Sequence, residues 1–349
     1  MNLSLSGPGA VLCQPGLRGL LVQLDTINST GGVNGRKIEI LKRDDKTNPK
    51  LSAKIAQEFA DRKVAAMVGP MMTEPAVDLT GLPEKLHLPT ISLASTSVNV
   101  TPVSKHPYTF KVSPSNADMA TVQAQELARR KIENVAFITV KGPYGNSATA
   151  GFKAAANKAG INVVSVQQFS QTATNLMPQV QAAQEAGAKG FAVSVYPPQS
   201  AILAKTVKAS GFDGPVIFDA AAGAELFVEG AGRASEGMFM VYDRIMASDS
   251  EAVTSPAAWR QRQFFTKYAQ KYGGFSGFAA LGADGLQLVA MAVQSAGSTA
   301  PQHIQHALEH IRYDGLAGSY VYTPKAHGGM TLDSLMVLTV KDGGWVPGE

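Results

Sequence analysis

Cysteine is almost missing from this chain of 349 residues, and the single cysteine, Cys13, excludes an internal disulfide. We expect Cys13 to be a small buried residue. Charged residues make up only 17% of the sequence and apolar residues 45%, a composition that excludes a disordered chain and is typical of a globular one. No apolar run approaches the ~20 residues of a membrane-spanning helix, so we expect no stable membrane insertion.

Strong charge of one sign is also missing. The net charge is +4, and the 31 Lys and Arg residues form no basic run and are not interleaved with aromatic residues, which argues against nucleic acid. The motifs GxxxxGK[ST], GxSxG and HExxH do not occur. Gly7-Pro8-Gly9 starts like a dinucleotide fingerprint, but Leu12 stands at the third glycine position. The sequence therefore predicts no enzyme and no bound cofactor.

Three histidines fall on one side of a predicted helix, at His303, His306 and His310. Imidazoles at this spacing can bind a metal ion, but no acidic or cysteine pattern completes a closed site. The sequence therefore favours a solvated helix flank and predicts no metal.

The apolar pattern repeats at the length of a βα unit. Strands are expected to start near residues 38, 64 and 90, and a second array of strands and helices runs from about 115 to 218. Long helices follow at about 256–272, 278–296 and 301–312, and then a β-rich tail. A chain of this length exceeds one hydrophobic core. We therefore predict the α/β class, with two lobes, each a parallel sheet flanked by helices, and a ligand cleft that closes by a hinge.

Two hydroxyl-rich loops follow two predicted strands of the first array. Val64–Val68 leads to Thr73, which is followed by Pro75 and so reads as a helix N-cap. Thr90–Leu93 leads to Ser95–Ser97. Ligands of open α/β sheets bind at the carboxyl ends of strands, so these loops suit a small carboxylate. The same residues would serve equally well as a helix cap and a chain turn.

Several longer segments resemble a known family when they are taken together. They are GGVNGRKIEILKRDDKTNP, VAAMVGP, PTISLASTS, VKGPYGNSATAGF and LDSLMVLTVKDGGW, and they resemble type I periplasmic binding proteins of the branched-chain amino acid (Leu/Ile/Val-binding-like) branch that serves ABC importers. The resemblance covers essentially the whole chain. It implies three crossovers, near Val112–Ser115, Tyr242–Ile245 and Thr323–His327, and the lobes 1–113 plus 245–323 and 114–244 plus 324–349.

The resemblance also implies a ligand site. Thr73 matches the hydroxyl that holds the ligand carboxylate, and Ala94 and Thr96 match the loop that supplies a backbone group and a second hydroxyl. Tyr144 matches an aromatic that closes over the ligand, and Tyr196 lies near a second one. With the neighbouring residues added, the candidate ligand-binding set is Thr73, Ala94, Ser95, Thr96, Tyr144, Tyr196, Asp219 and Met72.

The chain departs from the family at the residue that pairs with the ligand ammonium. Ala220 stands at the position of the family's acidic residue, and Asp219 lies one place earlier. A buried ammonium without a partner is costly, and a shift of one residue can turn the carboxylate away from the ligand. The expected ligand is therefore either an aliphatic amino acid or an aromatic or aliphatic acid without an amine. Met72 would suit its apolar part.

The function implied by the resemblance is that of an extracytoplasmic substrate-binding protein. It would capture a small carboxylate as a monomer and deliver it to an ABC permease and ATPase complex in the inner membrane. No leader precedes the apolar stretch Leu3–Leu5, so the sequence fits either a mature periplasmic chain or a cytoplasmic protein. A cytoplasmic sensor of amides or amino acids on the same fold is the alternative.

Overall fold

The computed structural model describes residues 1–250 and 252–348, which alternate between short strands and helices. The strands are β1 Asn2–Leu3, β2 Arg43–Asp44, β3 Met67–Val68, β4 Thr90–Ser92, β5 Thr109–Lys111, β6 Asn134–Val140, β7 Asn162–Phe169, β8 Gly190–Ser194, β9 Val216–Phe218, β10 Phe239–Asp243, β11 Arg312–Asp314, β12 Ser319–Val321, β13 Leu335–Lys341 and β14 Gly344–Pro347. The α-helices are α1 Ala10–Ser29, α2 Pro49–Asp61, α3 Thr73–Asp78, α4 Leu82–Leu86, α5 Asn116–Arg129, α6 Pro143–Lys158, α7 Met177–Glu185, α8 Gln199–Ala209, α9 Glu225–Ala231, α10 Pro256–Tyr272, α11 Gly277–Ala296 and α12 Pro301–Leu308.

The chain forms two compact units, each made of two segments. Unit 1 comprises Met1–Ser115 and Val253–Ser334, and unit 2 comprises Asn116–Ala252 and Leu335–Glu349. The chain therefore passes between the units three times. Compared with the lobes expected from the sequence, residues 114–115 and 324–334 fall in unit 1, and residues 245–252 fall in unit 2.

Hydrogen bonds join the two longer of these segments to the unit in which they lie. Ser250 donates from its Oγ to the carbonyl of Trp345 in unit 2, at 3.5 Å. In unit 1, the Thr331 amide donates to the Ser319 carbonyl at 2.9 Å, and the Ser319 amide donates to Ser334 Oγ at 2.9 Å. Each segment is thus held by the unit that it joins, and the sequence pattern contains no signal for these contacts.

Unit 1 contains short parallel ladders. β3, β4 and β5 lie side by side in chain order, β1 pairs with β2, and β11 and β12 form an antiparallel pair. The strand expected to start near residue 38 is reduced to Arg43–Asp44, because only these residues pair with β1. The side chain of Asn48 accepts from the Leu51 amide at 3.1 Å and caps α2.

The first helix of unit 1 begins earlier than the sequence suggests. Proline is favoured in the first turn of a helix, which would place the start of α1 near Pro15, but α1 starts at Ala10 and Pro15 lies inside the helix. The Gly9 carbonyl accepts from the amides of Leu12 and Cys13, which starts the helix before the proline. Leu12 and Cys13 are both buried, so the apolar face extends further back than the proline signal indicates. Cys13 is a buried free thiol, as predicted.

Glycines let α1 and α11 pack at very short distance. A Cβ atom at Gly19 would lie 2.0 Å from the Ala279 carbonyl oxygen, and a Cβ at Gly282 would lie 2.0 Å from the Gly16 carbonyl oxygen. Real Cβ atoms essentially never come within 3.0 Å of another heavy atom. The small residues are therefore required for this helix contact.

One helix among the described residues, α11, is long and apolar enough to cross a membrane by length and composition alone. The sequence expectation missed it because small and polar residues interrupt its apolar run. In the structure 72% of the window is buried, and the carboxylate of Asp284 accepts from the amides of Leu316 and Ala317 at 2.8 Å each. These features are those of the core helix of a globular unit.

Unit 2 is built on one seven-stranded sheet with the order β14-β13-β10-β9-β8-β6-β7. The five strands from β10 to β7 are parallel, and β13 and β14 add antiparallel pairs at one edge. β6, β8 and β9 are buried almost throughout, as expected for parallel strands that helices cover on both faces. The carboxyl ends of these three neighbouring strands meet at one edge of the sheet, where the unit 2 candidates lie.

Candidate ligand-binding site

The unit 1 candidates follow two adjacent parallel strands. Thr73 comes five residues after β3, and Ala94 and Thr96 follow β4. The register pairs Val68 with Ile91, so both strands end at the same level. The Leu93 amide donates to the Pro70 carbonyl at 2.9 Å and ties the two loops together. The structure thus brings together the two loops that the sequence predicts to suit a small carboxylate.

The predicted N-cap role of Thr73 is wrong. Met72 is the N-cap residue, and Thr73 is the first residue of α3, which has only six residues. Met72 has an extended backbone, and its side chain makes no capping hydrogen bond. The sequence pattern of Thr followed by Pro fits both assignments, because proline is accepted throughout the first turn of a helix.

The polar candidate residues of unit 1 are buried or half-buried. Thr73 is 4% exposed and Thr96 1%, while Ser95 is half-buried. The Ala94 amide donates to Ser92 Oγ at 3.3 Å, a long hydrogen bond. Thr96 Oγ1 accepts from the Val98 amide at 3.4 Å, also a long one. These groups therefore keep much of their capacity to bind a polar ligand atom.

The unit 2 candidates follow three adjacent parallel strands. Tyr144 lies just after β6 at the start of α6, Tyr196 follows β8, and Asp219 follows β9 directly. The glycine after Tyr144 is required, because a Cβ at Gly145 would lie 1.7 Å from the Val140 carbonyl oxygen. This close approach of α6 to the end of β6 fixes the position of Tyr144.

Asp219 and Tyr144 are joined by a hydrogen bond in unit 2. The Tyr144 hydroxyl donates to Asp219 Oδ2 at 2.5 Å, and the Ala221 amide donates to Oδ1 at 3.1 Å. Asp219 also has a side-chain hydrogen bond with Ser194. The ring of Tyr196 lies 5.9 Å from that of Tyr144. The one-residue offset of Asp219 therefore leaves it beside the two aromatic candidates.

Burial controls the electrostatics of this cluster. Asp219 is 1% exposed, and its desolvation raises the pKa of the carboxyl from 3.8 to about 6, although its hydrogen bonds with Tyr144, Ser194 and Ala221 act in the opposite direction. Burial, and then the Asp219 carboxylate, raise the pKa of the Tyr144 hydroxyl well above its usual 10. The cluster therefore offers a carboxylate whose ionised form is costly, and a cation beside it would reduce that cost.

Sequence reasoning missed Ser194 as a member of this cluster. It is the last residue of β8, 3% exposed, and its carbonyl accepts from Thr139 Oγ1 at 2.8 Å. A serine that ends an otherwise apolar strand is the available signal, because that position faces the ligand edge of a parallel sheet. Across residues 1–250 and 252–348, no group of three or more His, Cys, Asp or Glu side chains is placed to hold a metal ion.

Solved structures define the fold as that of type I periplasmic binding proteins. An extracellular ligand-binding receptor from Rhodopseudomonas palustris HaA2 has a TM-score of 0.90 at 21% identity, over 99% of this chain and 98% of that chain. The substrate-binding protein LivJ of a branched-chain amino acid transporter from Streptococcus pneumoniae, in complex with isoleucine, has a TM-score of 0.85 at 20% identity, over 99% and 96%.

The sequence shows the family. A model of the periplasmic binding protein family matches residues 1–344, and the chain belongs to this family. A similar relative is the leucine-, isoleucine-, valine-, threonine- and alanine-binding protein of Pseudomonas aeruginosa, which is 22% identical over 92% of this chain and 84% of its own length. The family consists of binding proteins rather than enzymes.

Proposed function

We propose that the protein is the substrate-binding component of an ABC importer, that it works in the periplasm, and that its ligand is an α-amino acid with an aliphatic side chain. It would deliver this ligand to a permease and ATPase complex in the inner membrane. Family membership supports the binding role, and the ligands of the similar Pseudomonas aeruginosa protein, leucine, isoleucine, valine, threonine and alanine, support the ligand class.

The observation that carries the ligand proposal is the position of Asp219. A buried carboxylate is expensive unless it is paired with a cation, and the groups that lower its pKa are hydrogen-bond donors rather than a cationic side chain. A ligand ammonium supplies the missing positive charge. Tyr144, bonded to the same carboxylate, orients it for that ion pair.

Unit 1 would hold the other end of the ligand. The hydroxyls of Thr73 and Thr96 and the Ala94 amide are buried donors at the ends of β3 and β4, and donors of this kind bind a carboxylate. An amino acid that engages donors of unit 1 and the acid of unit 2 would draw the units together, since three chain crossings can serve as a hinge. A decrease in the radius of gyration on ligand addition would support this closure.

A double substitution tests the unit 1 residues. Thr73→Ala with Thr96→Val removes two hydroxyls, so we expect weaker ligand binding by about 1–3 kcal/mol per lost bond to a charged group. Calorimetric titration measures the loss. The control is Thr80→Ala with Thr101→Val, the same changes at exposed threonines of unit 1. Equal affinity of the test and control variants would remove Thr73 and Thr96 from the site.

The ligand class is tested by a thermal-shift screen. The protein is unfolded and refolded to strip carried-over ligand, and a ligand that binds the native state then raises the melting temperature by mass action. We expect shifts with aliphatic amino acids. Shifts only with aromatic or aliphatic acids that lack an amine would contradict the role of Asp219 and would fit its existing hydrogen bonds with Tyr144, Ala221 and Ser194, which already occupy the carboxylate.

A further inference from the structure

A groove in unit 1, away from the candidate ligand residues, is lined by three imidazoles. It has a volume of about 460 Å³ and lies against His303, His306 and His310, with Ser295 and Ala296 from the end of α11. All three histidines are exposed. The sequence pattern alone favours a solvated flank, but the structure adds three observations that point to a cation.

The first observation is the geometry of His306 and His310. Their ring centroids are 4.6 Å apart, with an angle of 48° between the planes. Two imidazoles at this spacing are close enough for one metal ion, at about 2.0–2.1 Å from a nitrogen of each ring, to bind both. His303 is three residues before His306 on the same helix, and no ring contact joins it to the pair among the described aromatic contacts.

The second observation is that one imidazole already has its tautomer fixed. His310 Nδ1 lies 2.8 Å from the His306 carbonyl oxygen. A carbonyl only accepts, so Nδ1 carries the proton in the neutral ring and Nε2 keeps its lone pair. Metal-binding histidines are usually held in this way by a hydrogen bond from the other ring nitrogen.

The third observation is the electrostatic field of the helix dipoles at the groove. His306 lies in the last turn of α12, and Ser295 and Ala296 are the last residues of α11, which has 20 residues. Both helices therefore end at the groove, and the negative end of a helix dipole favours a cation. The nearby Glu309 is directed elsewhere, since its Oε1 lies 3.4 Å from Nε2 of the buried His327.

We propose that His306 and His310 form a bidentate site for a divalent transition-metal cation, with Cu²⁺ preferred. Two side-chain ligands are consistent with the lack, among the described residues, of any metal-competent group of three or more His, Cys, Asp or Glu. Water fills the remaining coordination positions. Imidazole suits Cu²⁺, Ni²⁺ and Zn²⁺, and Cu²⁺ forms the strongest complexes of this series.

Calorimetric titration of the tag-free, full-length protein with Cu²⁺ tests the proposal. We expect one ion per chain, and at least tenfold weaker binding in each of His306→Ala and His310→Ala. The control is His87→Gln, which removes an exposed imidazole elsewhere in unit 1 and should leave the affinity unchanged. Circular dichroism verifies that each variant is folded.

Electron paramagnetic resonance of the bound Cu²⁺ provides a second readout. We expect coupling to two nitrogens in the wild type and to one in either single variant. Undiminished binding in the double variant His306→Ala, His310→Ala, or no stoichiometric binding by the wild type, would overturn the proposal. A loss in His303→Gln as large as in His306→Ala would overturn the bidentate assignment in favour of a site of three imidazoles.

Discussion

The substitution Asp219→Asn is expected to lower amino acid affinity at least 100-fold while making the ligand-free protein more stable. Removing one partner of a buried, hydrogen-bonded charge pair costs about 2–5 kcal/mol of binding free energy, and about 2.7 kcal/mol corresponds to 100-fold. The amide oxygen of the introduced asparagine can still accept from the Tyr144 hydroxyl, so the aromatic would stay in place. Calorimetric titration of refolded protein measures the affinity.

The stability gain has a defined pH dependence. The pKa of Asp219 is raised from 3.8 to about 6, so its contribution to the free energy of unfolding is fully present below pH 3.8 and is lost as the pH rises through 6. Two pKa units correspond to roughly 3 kcal/mol. Asparagine does not ionise, so the free energy of unfolding of the variant should increase relative to that of the wild type between about pH 4 and pH 8.

The matched control is Asp213→Asn, the same change at an exposed carboxylate of unit 2. It should alter neither the affinity nor the pH profile of stability. An Asp219→Asn variant that binds amino acids as tightly as the wild type would exclude Asp219 from ammonium recognition. A variant that binds weakly but shows the wild-type pH profile would contradict the cost assigned to its burial.

Gly19→Ala and Gly282→Ala are expected to destabilise unit 1 strongly. Alanine gains about 1 kcal/mol over glycine in a helix interior, because it restricts the unfolded chain. Here each new Cβ would lie 2.0 Å from a backbone carbonyl oxygen of the other helix, and backbone cannot move aside as a flexible side chain can. We therefore expect a net loss of about 2 kcal/mol or more and a Tm lower by roughly 4–8 °C.

Differential scanning calorimetry of ligand-free protein measures these losses. Gly328→Ala is the control, because a Cβ there meets nothing within 4 Å, and its Tm should stay near that of the wild type. If Gly19→Ala and Gly282→Ala melted at or above the control, α1 and α11 would not be in the close contact described.

Periodicity predicted the fold class because it reports burial directly. The spacing of apolar runs indicated parallel βα arrays, and the bounds of α10 agree with the helix expected at 256–272. Strand lengths in unit 1 were overestimated, since pairing depends on a neighbour that the sequence does not identify: only Arg43–Asp44 of the expected strand pairs with β1. The limits of the units depend on contacts that the sequence does not identify, such as the hydrogen bond of Thr331 with Ser319.

The candidate site was predictable to the level of loops and less so to the level of side-chain roles. Polar residues that follow buried strands indicated Thr73 and Thr96, and the family resemblance indicated Asp219. The structure places all three after strand ends. The direction of Asp219 could not be read from its position, because it depends on the 3₁₀ turn Ala220–Gly223, whose Ala221 amide binds the carboxylate. Ser194 was not predicted as a site residue because the sequence pattern indicates only the end of a strand at this position.

The most direct test of amino acid recognition is calorimetric titration of refolded protein with leucine and with 4-methylpentanoate, the same carbon skeleton without the amine. We expect leucine to bind at least 100-fold more tightly, because only leucine offers an ammonium to Asp219. Equal binding of the two compounds, or binding of 4-methylpentanoate alone, would contradict this expectation.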